Sequence, residues 1–134
     1  MPGLFIGLMS GTSLDGIDAV VADATAVDGT PRLLHSHFQS FAPALRDELL
    51  ALQAPCDNEL HRAALAANQL SQAYAEAIHV LLAKAALAAK DITAIGCHGQ
   101  TIRHQPQSGY TTQLGNGALL RSEEHTSELQ SRET

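Results

Sequence analysis

The chain has 134 residues, a net charge of −6, 45% hydrophobic residues and only 4% aromatic ones. A mildly acidic chain is a poor candidate for general binding to nucleic acid or to anionic membranes. No apolar run approaches the ~20 residues of a membrane-spanning helix, the N-terminus lacks the basic-then-apolar pattern of a secretory signal, and two cysteines, Cys56 and Cys97, do not make a disulfide framework but read as reduced thiols of a cytoplasmic protein.

Taken in chain order, the pattern predicts an α/β fold with a mixed sheet. Leu4–Met9 and Ile17–Ala24 read as strands joined by a tight polar turn. Asp28-Gly29-Thr30-Pro31 is a turn signal, and Leu33–Phe41 reads as a third strand, so that three antiparallel strands open the sheet. Pro43 starts a short helix, Ala44–Leu52. Asp57 or Asn58 is placed to cap a long helix reaching about Ala89. Its expected core stripe is Leu60, Ala64, Ala67, Leu70 or Ser71, Tyr74, Ile78, Leu81 and Ala85. Ile92–Cys97 follows as a buried strand, and a strand–helix–strand passage predicts a parallel neighbour. Gln105–Gly109 reads as a polar loop, Tyr110–Leu114 as a further strand, and Gly115-Asn116-Gly117 as another turn.

The chemistry concentrates in two places. The first is the turn Gly11-Thr12-Ser13-Leu14-Asp15-Gly16-Ile17-Asp18. Its glycines permit close backbone approach, and successive N–H groups in such a turn can converge on an anion. Ser10, Thr12 and Ser13 add hydroxyl donors. Asp15 and Asp18 are candidate Mg²⁺ groups, since Mg²⁺ takes few carboxylates alongside phosphate and water. The plainer alternative is a Gly-rich hairpin with polar filling. A Walker loop is excluded because no Lys follows Gly11, and a dinucleotide fingerprint because a β-rich segment follows instead of a helix.

The second place is Cys97-His98-Gly99-Gln100-Thr101, at the C-terminal end of a predicted strand, where ligands bind in open α/β sheets. His98, Gln100 and Thr101 offer hydrogen bonds suited to sugar hydroxyls or phosphate, or else cap a strand end. Cys97 beside His98 is not read as a thiol–base pair, because neighbours on a strand point to opposite faces. His35 and His37 share a face without an evident third ligand, and His61 and His79 read as helix-surface residues.

Three segments together carry a resemblance. Met9–Asp18 resembles the N-terminal signature of the anhydro-N-acetylmuramic acid kinases. Ile95–Pro106 and Gln113–Leu120 resemble two further blocks of that family, in its order and spacing. The resemblance frames residues 1–120 and implies half of a ribonuclease H-like domain of the actin, Hsp70 and sugar-kinase superfamily. It also implies opening of the 1,6-anhydro bridge of anhydro-N-acetylmuramic acid by water. Phosphorylation of O6 with ATP and Mg²⁺ would then give the 6-phosphate in peptidoglycan recycling. On that match Gly11–Asp18 line the ATP phosphates, with Thr12 and Ser13 bonding phosphate oxygens and Asp15 or Asp18 ordering the metal through water. His98, Gln100 and Thr101 contact the sugar, and the full-length protein is a homodimer. The general-base Asp falls beyond Leu120, so the chain alone is expected to show no turnover. The alternative is a one-lobe nucleotide- or sugar-binding module without catalysis.

Residues 121–134 differ in kind. They hold four Glu and two Arg, and Arg121–Ser131 resembles, residue by residue, a translated short-read sequencing adapter. This tail is expected to be non-native and disordered. Residues 1–120 then carry a charge of −4, and the truncated sheet is expected to keep an unpaired edge and an uncovered face.

Overall fold

The computed structural model describes residues 3–11, 13–25, 29–115 and 131–133. A five-stranded mixed sheet has the order β3-β2-β1-β4-β7, with β1 Leu4–Ser10, β2 Gly16–Asp23, β3 Arg32–Ser40, β4 Ala94–Cys97 and β7 Ser131–Glu133. β1 and β2 pair antiparallel, as do β2 and β3, and β4 runs parallel to β1 with Ile6 beside Ile95 and Leu8 beside Cys97. The expected meander and the expected parallel neighbour are both present. The α/β class and the mixed sheet follow from them.

Among the described residues, one face of the sheet is packed and the other is not. Leu4, Ile6, Leu8, Ile17, Ala19 and Val21 are buried on one side, while Phe5, Met9 and Asp18 on the other stay exposed. This is the period of two along a strand. The covering layer consists of α1, Pro43–Ala51, and α2, Glu59–Ala85. Alanines at 66, 75 and 77 let α2 lie close to the strands, and Leu70, Tyr74, Ile78 and Leu81 fill the space between.

The N-terminal part of the expected stripe is not core. Leu60 is 87% exposed and Ala64 is also exposed, and burial begins only at Ala66. The helix period is right, but the early turns of α2 present Leu60 and Ala64 to solvent. Asn58 does stand at the N-cap, yet its backbone is left-handed (φ 58°) and its side chain bonds no helix N–H. Glu59 instead accepts from the Cys56 N–H at 3.3 Å. The helix ends at Ala85 rather than near Ala89, with Leu87 N–H bonded to Leu82 O at 3.0 Å around a left-handed Ala86.

A second, two-stranded sheet was not anticipated. β5, Gln100–Gln105, pairs antiparallel with β6, Tyr110–Leu114. β5 takes up residues that read as a turn and a loop, because its polar sequence, Gln-Thr-Ile-Arg-His-Gln, lacks a hydrophobic run. Ile102 and Leu114 anchor the hairpin in the core, and Arg103 bonds Leu52 O at 3.3 Å and Glu59 at 3.1 Å. Within the tail, the backbone of Ser131–Glu133 extends along β4 as β7. β4 would otherwise end the sheet, and an open edge pairs with extended backbone largely independently of its side chains. Residues 121–130 and Thr134 lie outside the described residues, as do Asn116–Leu120 of the third sequence block.

Arg62 and Glu48 tie the two helices together through two bonds, of 2.6 and 2.9 Å. Those bonds hold the Glu48 carboxyl below its ordinary value, against a smaller opposing effect of desolvation. A depressed carboxylate stabilises the fold above its unfolded value, about 4.3 for glutamate, and loses that contribution as pH falls through the folded value. The wild type is therefore expected to melt slightly higher than Glu48→Gln at pH 7. The gap should be constant down to about pH 5 and close below about pH 4 in thermal melts. A gap that widens on acidification contradicts this assignment.

Candidate functional site

The parallel pairing of β1 with β4 brings the two chemical segments to one end of the sheet. β1 leads directly into the turn at residues 11–15, and β4 leads into His98-Gly99. The His98 N–H continues the ladder by bonding Leu8 O at 3.1 Å. Beyond the last strand pair, Ser10 Oγ lies 3.4 Å from Gly99 O and 2.9 Å from the Tyr74 hydroxyl. Ser10 is buried. It was read as a donor toward a ligand, but it points into the core and ties the two segments together.

The first turn is held by backbone geometry. Leu14 N–H bonds Gly11 O at 3.1 Å, and Leu14 adopts φ 59°. A left-handed conformation costs a leucine roughly 1–2 kcal/mol. Complete burial of its side chain offsets that cost, and Arg46 Nε donates to Leu14 O at 3.0 Å from α1. Leu14 and Ile17 are buried, so any ligand in this turn meets their backbone and not their side chains. Ser13 and Asp15 are exposed at the rim, and Gly11 has open space around it, its nearest contact being Ser13 Oγ at 3.9 Å from where a Cβ would lie. Thr12 lies outside the described residues. Asp18 is exposed but stands within β2, between Met9 and Phe38 in register, on the uncovered face.

No three His, Cys, Asp or Glu side chains gather as a metal set among the described residues. Two exposed carboxylates without a third protein ligand fit a Mg²⁺ that draws most of its shell from phosphate and water. They do not fit an all-protein cage.

The second segment is a tight turn followed by a buried amide. Gly99 has φ 81°, and a Cβ there would meet Leu114 O at 2.6 Å, so both conformation and space demand glycine. Gln100 is fully buried. Its Nε2 reaches only Thr101 O at 3.2 Å, and its Oε1 has no partner among the described residues. A buried amide oxygen left unbonded is costly, which is the pattern of a group completed by something else. His98 is exposed, with Nε2 3.4 Å from Gln113, which also bonds Thr101 Oγ1 at 3.2 Å. Arg46 was not singled out from sequence, and Gln113 and Tyr74 were named only as part of a matching block and of the helix core. Their roles come from strand pairing and helix packing, which leave no local signal.

Comparison with known proteins places these features in a family. The model of the anhydro-N-acetylmuramic acid kinase family matches residues 3–128. Relatives bearing that name include one from Burkholderia pseudomallei (strain 1710b), 52% identical over 118 residues, which are 88% of this chain and 30% of the relative. Others come from Nitrosospira multiformis, 54% identical, and Nitrosomonas europaea, 52% identical, each over 87% of this chain and 32% of the relative. This chain thus spans about three-tenths of the length of the curated relatives it matches. It belongs to the anhydro-N-acetylmuramic acid kinase family.

Proposed function

We propose that this chain is the phosphate-loop part of an ATP-dependent sugar kinase acting on 1,6-anhydro-N-acetylmuramic acid, with a ribonuclease H-like core. The reaction yields N-acetylmuramic acid 6-phosphate for peptidoglycan recycling in the cytoplasm. The observation that carries the reading is the convergence of the 11–18 turn and the His98–Thr101 segment at the C-terminal ends of β1 and β4, joined through Ser10.

In this reading the backbone of Gly11–Asp18, with the hydroxyls of Thr12 and Ser13, receives the ATP phosphates. Asp15 and Asp18 hold the Mg²⁺ through its waters, and the metal supplies charge neutralisation on the transferring phosphoryl group. Gln100 Oε1, which has no partner among the described residues, accepts from a sugar hydroxyl. His98 and Thr101 border the same sugar. The residue that activates water, and the nucleotide's other wall, belong to the part of the longer protein outside this chain. The absence of turnover in the chain alone and homodimerisation of the full-length protein belong to the same proposal.

The test is a grafted protein in which residues 1–115 replace the matched segment of the Burkholderia pseudomallei relative. With ATP, Mg²⁺ and the anhydro sugar it is expected to form ADP and sugar 6-phosphate. The 134-residue chain alone forms neither. Asp18→Asn in the grafted protein is expected to lower kcat by about 10²-fold or more. A folded grafted protein without sugar-dependent ADP release, or turnover by the short chain, refutes the reading.

A further inference from the structure

We propose that Arg46, on α1, belongs to the phosphate site as the positioning residue that holds the 11–15 turn ready for the polyphosphate of a nucleotide, a role that rests on reading this turn as the ATP-phosphate loop. Leu14 is a non-glycine residue in left-handed backbone, at φ 59°. Such a conformation persists only where its surroundings over-determine it, and it gathers at ligand clamps and switches. Two contacts hold it here. The Leu14 side chain is fully buried, and its carbonyl accepts from Arg46 Nε at 3.0 Å. Leu45 and Leu49 are buried on either side of Arg46 in sequence and fix α1 against the core, so the guanidinium is presented from a rigid base.

The direction of that bond decides what the turn offers a ligand. Across a planar trans peptide the C=O and the following N–H point opposite ways. With the Leu14 carbonyl drawn toward Arg46, the Asp15 N–H points away from it. Among the described residues the Asp15 N–H has no backbone acceptor. It is a donor held out on the far side of the turn, while the carbonyl that would repel a phosphate is kept on the near side. Charge adds to this. Arg62 and Arg103 each pair with a glutamate, whereas the Arg46 bond goes to a neutral carbonyl. A carbonyl does not neutralise a guanidinium, so positive charge stands directly behind the turn and offsets the Asp15 carboxylate toward an incoming polyphosphate.

The test is the affinity of the grafted protein described above for MgATP, measured by calorimetry without sugar, so that the readout needs no turnover. Arg46→Gln removes the charge and is expected to raise the Kd for ATP about tenfold or more. Arg46→Lys keeps the charge but not the planar fork, and is expected to raise it about threefold. In turnover the KM for ATP should rise by the same factors, with the KM for the sugar within about twofold of the unsubstituted value. Added ethylguanidinium should restore ATP affinity to Arg46→Ala and leave the unsubstituted protein unaffected, a rescue that a residue merely packing α1 would not show. Arg62→Gln takes a positive charge from the neighbouring helix, and is expected to melt lower while binding ATP normally. An Arg46→Gln variant whose Kd lies within about twofold of the unsubstituted protein overturns the proposal, as does an equal rise in Arg62→Gln. If Arg46→Gln fails to fold, Arg46→Lys decides, and unchanged ATP affinity in it overturns the proposal. ATP binding that depends on Arg46 without sugar-dependent ADP release refutes the kinase reading alone. Turnover with ATP affinity independent of Arg46 refutes this role alone, and a folded grafted protein that binds no ATP refutes both.

Discussion

Gly16→Ala is expected to destabilise the chain by about 3 kcal/mol or more, an overpacking cost at the upper end of the usual range. A methyl group at position 16 would lie 2.2 Å from Gln39 O, 2.9 Å from Gln39 C and 2.8 Å from the tip of the Phe38 ring. Phe38 can turn aside, but Gln39 O is backbone. Gly16 pairs with Ser40 and Ile17 with Gln39, so relief requires the start of β2 to part from the end of β3. The same movement would release the Phe41 N–H from Asp15 O, a 3.3 Å bond that closes the turn from outside. Gly16 has no positive φ, so the requirement is steric and valine should be worse than alanine. Gly11→Ala is the matched control. Its methyl would find only Ser13 Oγ at 3.9 Å, and its effect on stability should stay within about 0.5 kcal/mol. Small domains hold only about 5–15 kcal/mol in total, so the first substitution should shift a thermal melt by many degrees and the second hardly at all. A Gly16→Ala variant melting within about 2 °C of the wild type would refute the steric account.

The contrast between these two glycines marks where sequence reasoning succeeds and where it stops. Both were read as part of one loop, because glycine density and flanking apolar runs announce a strand–turn–strand unit. Nothing in the sequence says that one glycine is pressed against a neighbouring strand while the other is uncrowded among the described residues. That depends on the register of β2 against β3, which includes a bulge at Val21/Ala22. The same division holds for α2. Its 3.6-residue period was legible and correctly centred on Leu70, Tyr74, Ile78 and Leu81. Its first turns were over-assigned to the core because a period reports a face and not how much of that face other elements cover. β5 was missed for the opposite reason. A strand that is half exposed and polar carries no apolar alternation, and only its pairing with β6 defines it. For the candidate site, the sequence located both segments, and the parallel β1–β4 pairing shows why they meet. The side chains that hold them, Arg46 from α1 and Tyr74 from α2, lie 32 and 64 residues from their partners Leu14 and Ser10, beyond any local pattern.

Tyr74→Ala is expected to cost about 3–5 kcal/mol, and Tyr74→Phe and Ser10→Ala about 1–2 kcal/mol each. Tyr74 is wholly buried, and burial raises its hydroxyl above the ordinary tyrosine value, so it stays protonated through the physiological range. Ser10 has one hydroxyl proton. If Ser10 donates it to Gly99 O, its oxygen accepts from Tyr74, and the order Tyr74 to Ser10 to Gly99 satisfies every group in turn. This chain of bonds runs from the helix layer through the end of β1 to the turn that presents His98 and Gln100. Removing the phenol ring opens a cavity in the middle of α2's packed face. Removing only the hydroxyl leaves the core filled and releases the tie. The double variant Ser10→Ala with Tyr74→Phe should therefore cost less than the two single changes together, by about 1 kcal/mol. Denaturant titrations of the four proteins measure that coupling. Amide resonances of His98 and Gly99 should shift in both single variants, although Tyr74 is 24 and 25 residues away in sequence from these positions. Strict additivity, with those resonances unmoved, would mean that Ser10 and Tyr74 only fill space, and that the two segments are joined by the β1–β4 ladder alone.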